Sequence, residues 1–148
     1  MNLFESLAIS ASALQAERQR SEIIAANMAN ADTTRTEAGG PFHRREVVFE
    51  SHGASTFRLA LANSSALLGR TPGSVQVSEV VDDPTPAIMR YQPGHPDANS
   101  EGYVAYPAIN PAAEMVDLMG SVRAYQLNAS AVAAAKSMIQ QSIDILKS

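Results

Sequence analysis

The chain has 148 residues, the size of one ordinary domain or of a small domain with long extensions. With 11 Lys and Arg against 15 Asp and Glu its formal charge is −4, and its longest basic cluster, His43-Arg44-Arg45, is ended by Glu46, which argues against nucleic acid or anionic lipid as partner. Cysteine and tryptophan are absent and aromatics make up only 5%, so thiol catalysis, disulfides and cysteine-held metals are excluded and any core must be aliphatic and alanine-rich.

No apolar run reaches the roughly 18 residues of a membrane span. The start, Met1-Asn2-Leu3-Phe4-Glu5, lacks the basic and apolar regions of a cleaved signal peptide. If the protein leaves the cytoplasm, a route without signal cleavage is expected.

Residues 2–29 are expected to form one helix. Asn2 stands at a capping position with Glu5 three residues on, the spacing of a capping box, and no Gly or Pro follows. Leu3, Leu7, Leu14, Ile24 and Met28, with Ala11 and Ala25 between them, share one face. Glu17, Arg20 and Glu22 stand opposite, while Arg18 and Ser21 interrupt the stripe and argue against a dry leucine zipper. The helix would be about 42 Å long. Asn30-Ala31-Asp32-Thr33-Thr34 should end it, because short polar side chains compete for backbone hydrogen bonds.

The period then changes. Pro41, Pro72, Pro84, Pro86, Pro93, Pro96 and Pro107 punctuate the middle of the chain. Arg44–Phe49, Phe57–Leu61, Val75–Val81, Ile88–Tyr91 and Tyr103–Tyr106 carry β-branched and aromatic residues between turn formers and read as short strands. The stretch 51–70 has the weakest pattern; Ala60 to Leu68 suits a strand edge, a short helix or a loop.

Residues 111–147 predict a second, longer helix of about 54 Å. Asn110 is a good N-cap, and Pro111 fits the first helical position, where its missing N–H costs nothing. Glu114 and Asp117 suit the positive end of the helix dipole and Lys147 the negative end. Met115, Leu118, Val122, Tyr125, Ala129, Val132, Ile139, Ile143 and Leu146 follow steps of three and four, with Lys136 the charged member of the series.

These elements define an α+β chain. Its long N- and C-terminal helices are expected to pair as a coiled-coil-like helical domain, 1–34 with 108–148, around a small inserted β domain at 35–107. The helices are too long to lie wholly on that β domain, so their apolar faces must meet each other or other chains. The longer one overhangs, and an overhanging apolar stripe is a polymerisation surface. The side chains expected in that assembly interface are Leu3, Leu7, Leu14, Ile24, Met28, Met115, Leu118, Val122, Tyr125, Asn128, Val132, Ile139, Ile143 and Leu146. Asn128 either hydrogen-bonds across a helix interface or faces water.

Reactive chemistry is weakly represented. His43, His52 and His95 form no zinc spacing, and His95-Pro96-Asp97, beside Gly94, reads as a turn rather than a ligand pair. Asp82-Asp83 with Glu79 reads as a solvated strand end, because adjacent strand residues point to opposite faces. No nucleophile elbow or phosphate loop is present, and no catalytic residue, cofactor or metal is expected.

Three segments carry a family resemblance. Ser10-Ala11-Ser12-Ala13-Leu14-Gln15-Ala16-Glu17-Arg18, followed by Ile24-Ala25-Ala26-Asn27-Met28-Ala29-Asn30-Ala31-Asp32-Thr33-Thr34-Arg35, resembles the N-terminal signature of bacterial flagellar rod and hook proteins. Glu114-Met115-Val116-Asp117-Leu118-Met119, with Arg123-Ala124-Tyr125-Gln126-Leu127-Asn128 and Lys136-Ser137-Met138, resembles their C-terminal signature. Tyr91-Gln92-Pro93-Gly94-His95-Pro96-Asp97-Ala98 and Gly102-Tyr103-Val104-Ala105-Tyr106-Pro107 are similar to the proximal-rod branch of the flagellar basal-body rod protein family. The motif positions that match are Asn27, Asn30, Thr33, His95, Pro96, Gly102, Tyr103, Asn110, Glu114 and Arg123. Residues 51–70 match least and read as an insertion, and Ala108 stands where the family shows Asn.

The resemblance implies a non-catalytic structural subunit of the rod, the shaft that crosses the periplasm and transmits torque from rotor to hook. It implies export through the flagellar type III apparatus with an uncleaved N-terminal signal, terminal helices lining the inner tube, and the β domain outside them. Implied partners are further copies, other rod proteins, ring and export-gate components at the rod base, and the surrounding bushing rings. Two other readings stay open at this stage: a sister axial protein of the same family, and a soluble coiled-coil adaptor with a β head.

Overall fold

Two uninterrupted helical runs flank short strands, as the patterning requires. In the computed structural model, residues 3–51 and 73–147 are described. The strand candidate Phe57–Leu61, the rest of the ambiguous stretch beyond Ser51, the capping Asn2 and the side chain of Leu146 lie outside the described residues. The elements are α1 (Leu3–Ala29), β1 (Arg45–Ser51), β2 (Val75–Asp82), β3 (Ile88–Tyr91), β4 (Tyr103–Tyr106) and α2 (Pro111–Lys147).

The helix ends follow their local chemistry. Asn30 donates its Nδ2 to the Ala26 carbonyl at 2.8 Å and accepts the Thr33 hydroxyl at 3.2 Å, which stops α1. At the other long helix, Asn110 Oδ1 accepts the Ala112 N–H at 3.0 Å, the bond of an N-cap.

The described strands form two ribbons rather than one sheet: β1 pairs with β2, and β3 with β4. The second ribbon is antiparallel, with Ile88 opposite Tyr106 and Tyr91 opposite Tyr103. Alternation on β4 sends Val104 and Tyr106 inward, while all of β3 is exposed.

The chain resolves into two compact units. One comprises Met1–Gln19, Phe49–Ser78 and Ser121–Ser148; the other comprises Arg20–Val48 and Glu79–Gly120. Each holds a stretch of both long helices, and these helices pack together. In the first unit Ala16, Ser121 and Ala135 are buried, and Ser12 Oγ accepts the Val75 N–H at 3.1 Å, tying the start of β2 to α1. The second unit buries Ile24, Asn27, Val104, Tyr106, Pro107, Ile109 and Glu114.

The loop between β3 and β4 belongs to this second unit. Its ends are held by the Gln92 N–H on the Gly102 carbonyl at 2.8 Å. Gly102 has φ +82°, a backbone conformation that favours glycine, and a Cβ there would stand 2.9 Å from Tyr91 Cε2, so that the exposed ring would have to shift. His95-Pro96-Asp97 is a turn, with His95 Nδ1 accepting the Asp97 N–H at 3.1 Å. The Asp97 carboxylate accepts the Thr34 hydroxyl at 2.8 Å and faces Arg35 at 3.5 Å, docking the loop on the segment that follows α1.

Candidate assembly surface

The second unit is organised around a polar cluster. Asn27, on the last turns of α1, is 1% exposed. Its amide grips the backbone of Arg45 as a neighbouring strand would: Nδ2 donates to the carbonyl at 2.9 Å, and Oδ1 accepts the N–H at 2.9 Å. Nδ2 also donates to Glu114 Oε2 at 3.1 Å. Glu114, on the first turn of α2, is likewise 1% exposed, and its Oε1 accepts Arg44 Nε at 2.6 Å. Arg44 further pairs with Glu46 and approaches Asp83 and Asp117 at 3.8 Å each. Burial works against the charge of this guanidinium, but the bonds and attraction of Glu114 and Glu46 prevail and raise its pKa. At the adjacent strand end, Asp82 pairs with Arg45 at 3.5 Å, and Asp83 accepts both the hydroxyl and the N–H of Thr85, which lower its pKa.

The motif positions gather here. Asn27, Asn30, Thr33, His95, Pro96, Gly102, Tyr103, Asn110 and Glu114 all lie in the second unit, and Arg123 lies exposed in the first. Arg44 and Arg45, read in sequence as a short basic run at the head of a strand, are the partners that Asn27 and Glu114 require. The signal was weak because the partners stand 18 and 70 residues apart in sequence.

The expected interface residues divide by burial. Ile24 is buried; Leu3, Leu7, Leu14, Met28, Leu118, Asn128, Val132 and Ile139 are half-buried; Met115, Val122, Tyr125 and Ile143 are exposed. The inward seam of α2 runs through Glu114, Ser121, Asn128 and Ala135, seven residues apart and polar or short, with half-buried Leu118, Val132 and Ile139 on the same side. Met115 and Val122, one position further on, are therefore turned outward. Val116 and Met119, each 68% exposed, and Leu127 extend this apolar surface, and none of the three was expected from the stripe. Asn128 donates to the Ala124 carbonyl of its own helix at 2.9 Å. Among the described residues no helix is long and apolar enough to cross a membrane, and no group of three or more His, Asp and Glu is placed to hold a metal ion.

Two family models match the chain at its ends: one described as flagella basal body rod protein, over residues 7–35, and one described as flagellar basal body rod FlgEFG protein C-terminal, over residues 100–145. The flagellar basal-body rod protein FlgC of Bacillus subtilis is 40% identical over 151 residues, covering 99% of this chain and 100% of that one. The chain belongs to the FlgC family of flagellar basal-body rod proteins. The FlgC proteins of Borreliella burgdorferi, 32% identical over 99% of both chains, and of Yersinia enterocolitica, 33% identical over 98% of this chain and 96% of that one, agree with this assignment.

This FlgC-family chain is a structural subunit of the rod, which transmits torque. Asn27 falls within the first region matched by a family model and Glu114 within the second, so the hydrogen bond between them joins the two matched segments.

Proposed function

We infer that this rod subunit is a non-catalytic shaft segment of the periplasm. Its helical parts, 1–34 and 108–148, form a coiled-coil-like inner layer of the rod, and the β-rich part, 35–107, lies outside it. Its neighbours are further copies of itself, other rod proteins, and the ring and export-gate components at the rod base, with bushing rings around the shaft. It reaches the rod through the flagellar type III apparatus, with an N-terminal signal that is not cleaved.

One observation carries this reading: α2 exposes Met115, Val116, Met119, Val122 and Leu127 to solvent along one side. Apolar surface of this extent on one helix marks an interaction site. Burying each such side chain contributes about 1.5–3 kcal/mol before the cost of ordering. A shaft under torque needs many repeated contacts along its length, and a helix of 37 residues supplies them.

The test is mass spectrometry of detergent-purified basal bodies stripped of filament. Recovery of this chain in stoichiometric amounts with the rod is expected. Its absence from clean rods, with the protein free in the cytoplasm as a stable small oligomer, would favour a coiled-coil adaptor instead.

A further inference from the structure

The largest fully buried side chain among the described residues is a carboxylate, Glu114. Both its oxygens are engaged, Oε1 by Arg44 and Oε2 by Asn27. Asn27 in turn clamps the N–H and the carbonyl of Arg45. The end of α1, the first residue of β1 and the first turn of α2 thus meet through groups that are costly to bury unpaired.

Apart from Glu114, the fully buried positions of α2 discriminate poorly between alignments, and its inward apolar side chains Leu118, Val132 and Ile139 are only half-buried. Ser121 and Ala135 are short, and Asn128 is bonded to its own helix. Small side chains slide past a neighbour with little change in packing. A carboxylate does not: moving α2 by one residue carries it about 1.5 Å along the axis and about 100° around it, away from both donors.

We propose that the Asn27–Glu114–Arg44 cluster is a register lock, fixing how the end of α1 and the start of α2 align on the root of β1. Its function is specificity of alignment rather than net stability, as with buried polar groups that set the register of helical assemblies. The proposal rests on the geometry of the single chain and is independent of the shaft reading.

The absence of cysteine permits a direct test with paired spin labels. Ala29→Cys on α1 and Val116→Cys on α2 are exposed positions within the same unit. The labelled chain should give one narrow interlabel distance. Arg44→Met combined with Glu114→Gln removes both charges, roughly conserves volume and keeps an acceptor for Asn27. Full helical circular dichroism with loss of the single narrow distance, replaced by a broad or two-peaked distribution, is the expected result. A single distance of native width would overturn the proposal. So would loss of helical signal, which would make the cluster a stabiliser. Asn128→Ala, which breaks only a bond within α2, should leave the narrow distance intact; broadening there would mean that alignment is set by the whole seam and not by the lock.

Discussion

Glu114 occupies a position where an apolar side chain would bury more cheaply, so its removal exposes what its partners depend on. In Glu114→Ala, Asn27 loses an acceptor and Arg44 loses the buried carboxylate bonded to its Nε, keeping Glu46, Asp83 and Asp117. Arg44 retains some contact with water, which places the expected loss at the low end for a broken buried pair, about 3 kcal/mol, read from urea unfolding. Gly102→Ala meets both a positive φ and the Tyr91 ring. It should cost about 1–2 kcal/mol or more, seen as a lower Tm and faster amide exchange in the 92–103 loop. Asp83 supplies a pH dependence. Its pKa is lowered by the Thr85 hydroxyl and N–H, so its contribution is present above the ordinary carboxylate pKa and is lost as pH falls through the lowered value. Thr85→Val should move the Asp83 titration, followed by NMR, back up toward the ordinary carboxylate range.

At the scale of the element, α2 separates two jobs by face. Its inward seam of Glu114, Ser121, Asn128 and Ala135 serves the fold, and its outward apolar side chains serve assembly in the proposed reading. The two faces predict different phenotypes. Met119→Asp and Val116→Asp alter side chains that are already exposed, so unfolding free energy should change by no more than about 0.5 kcal/mol while incorporation into rods fails. Leu118→Asp reaches a half-buried site and should lower stability as well as block assembly. Motility plates and electron microscopy of basal bodies separate these outcomes, and normal rods in cells carrying Met119→Asp would place the shaft contacts elsewhere. The loop between β3 and β4 also serves the fold. His95-Pro96-Asp97 holds its turn and offers Asp97 to Thr34 and Arg35, so it serves docking within the subunit.

For the molecule as a whole, both units depend on both ends of the chain, because each contains parts of α1 and α2. Deleting residues 2–30 removes Asn27 and with it the acceptor and donor that hold the start of β1. The truncated chain should fail in export or incorporation, scored as its absence from culture supernatant and from purified basal bodies. Full secretion and assembly would show that the N-terminal segment carries neither the export signal nor the shaft contacts.

The two long helices, their ends and four of the strands were legible in the sequence because each depends on neighbours a few residues away: steps of three and four, Asn110 before Pro111, Asn30 after Ala29, β-branched runs between turn formers. The family was legible too, since its signatures are contiguous segments. The separation of the strands into two ribbons, and the union of Asn27, Arg44, Arg45 and Glu114, were not. Periodicity ranks faces by hydrophobicity, and on that ranking Met115 and Val122 belong inside and Glu114 and Ser121 outside. Burial is decided instead by which side chains find partners when distant segments meet. A carboxylate opposite an arginine and an asparagine is satisfied in the interior, and with that pairing, set only in three dimensions, neighbouring Met115 and Val116 face outward.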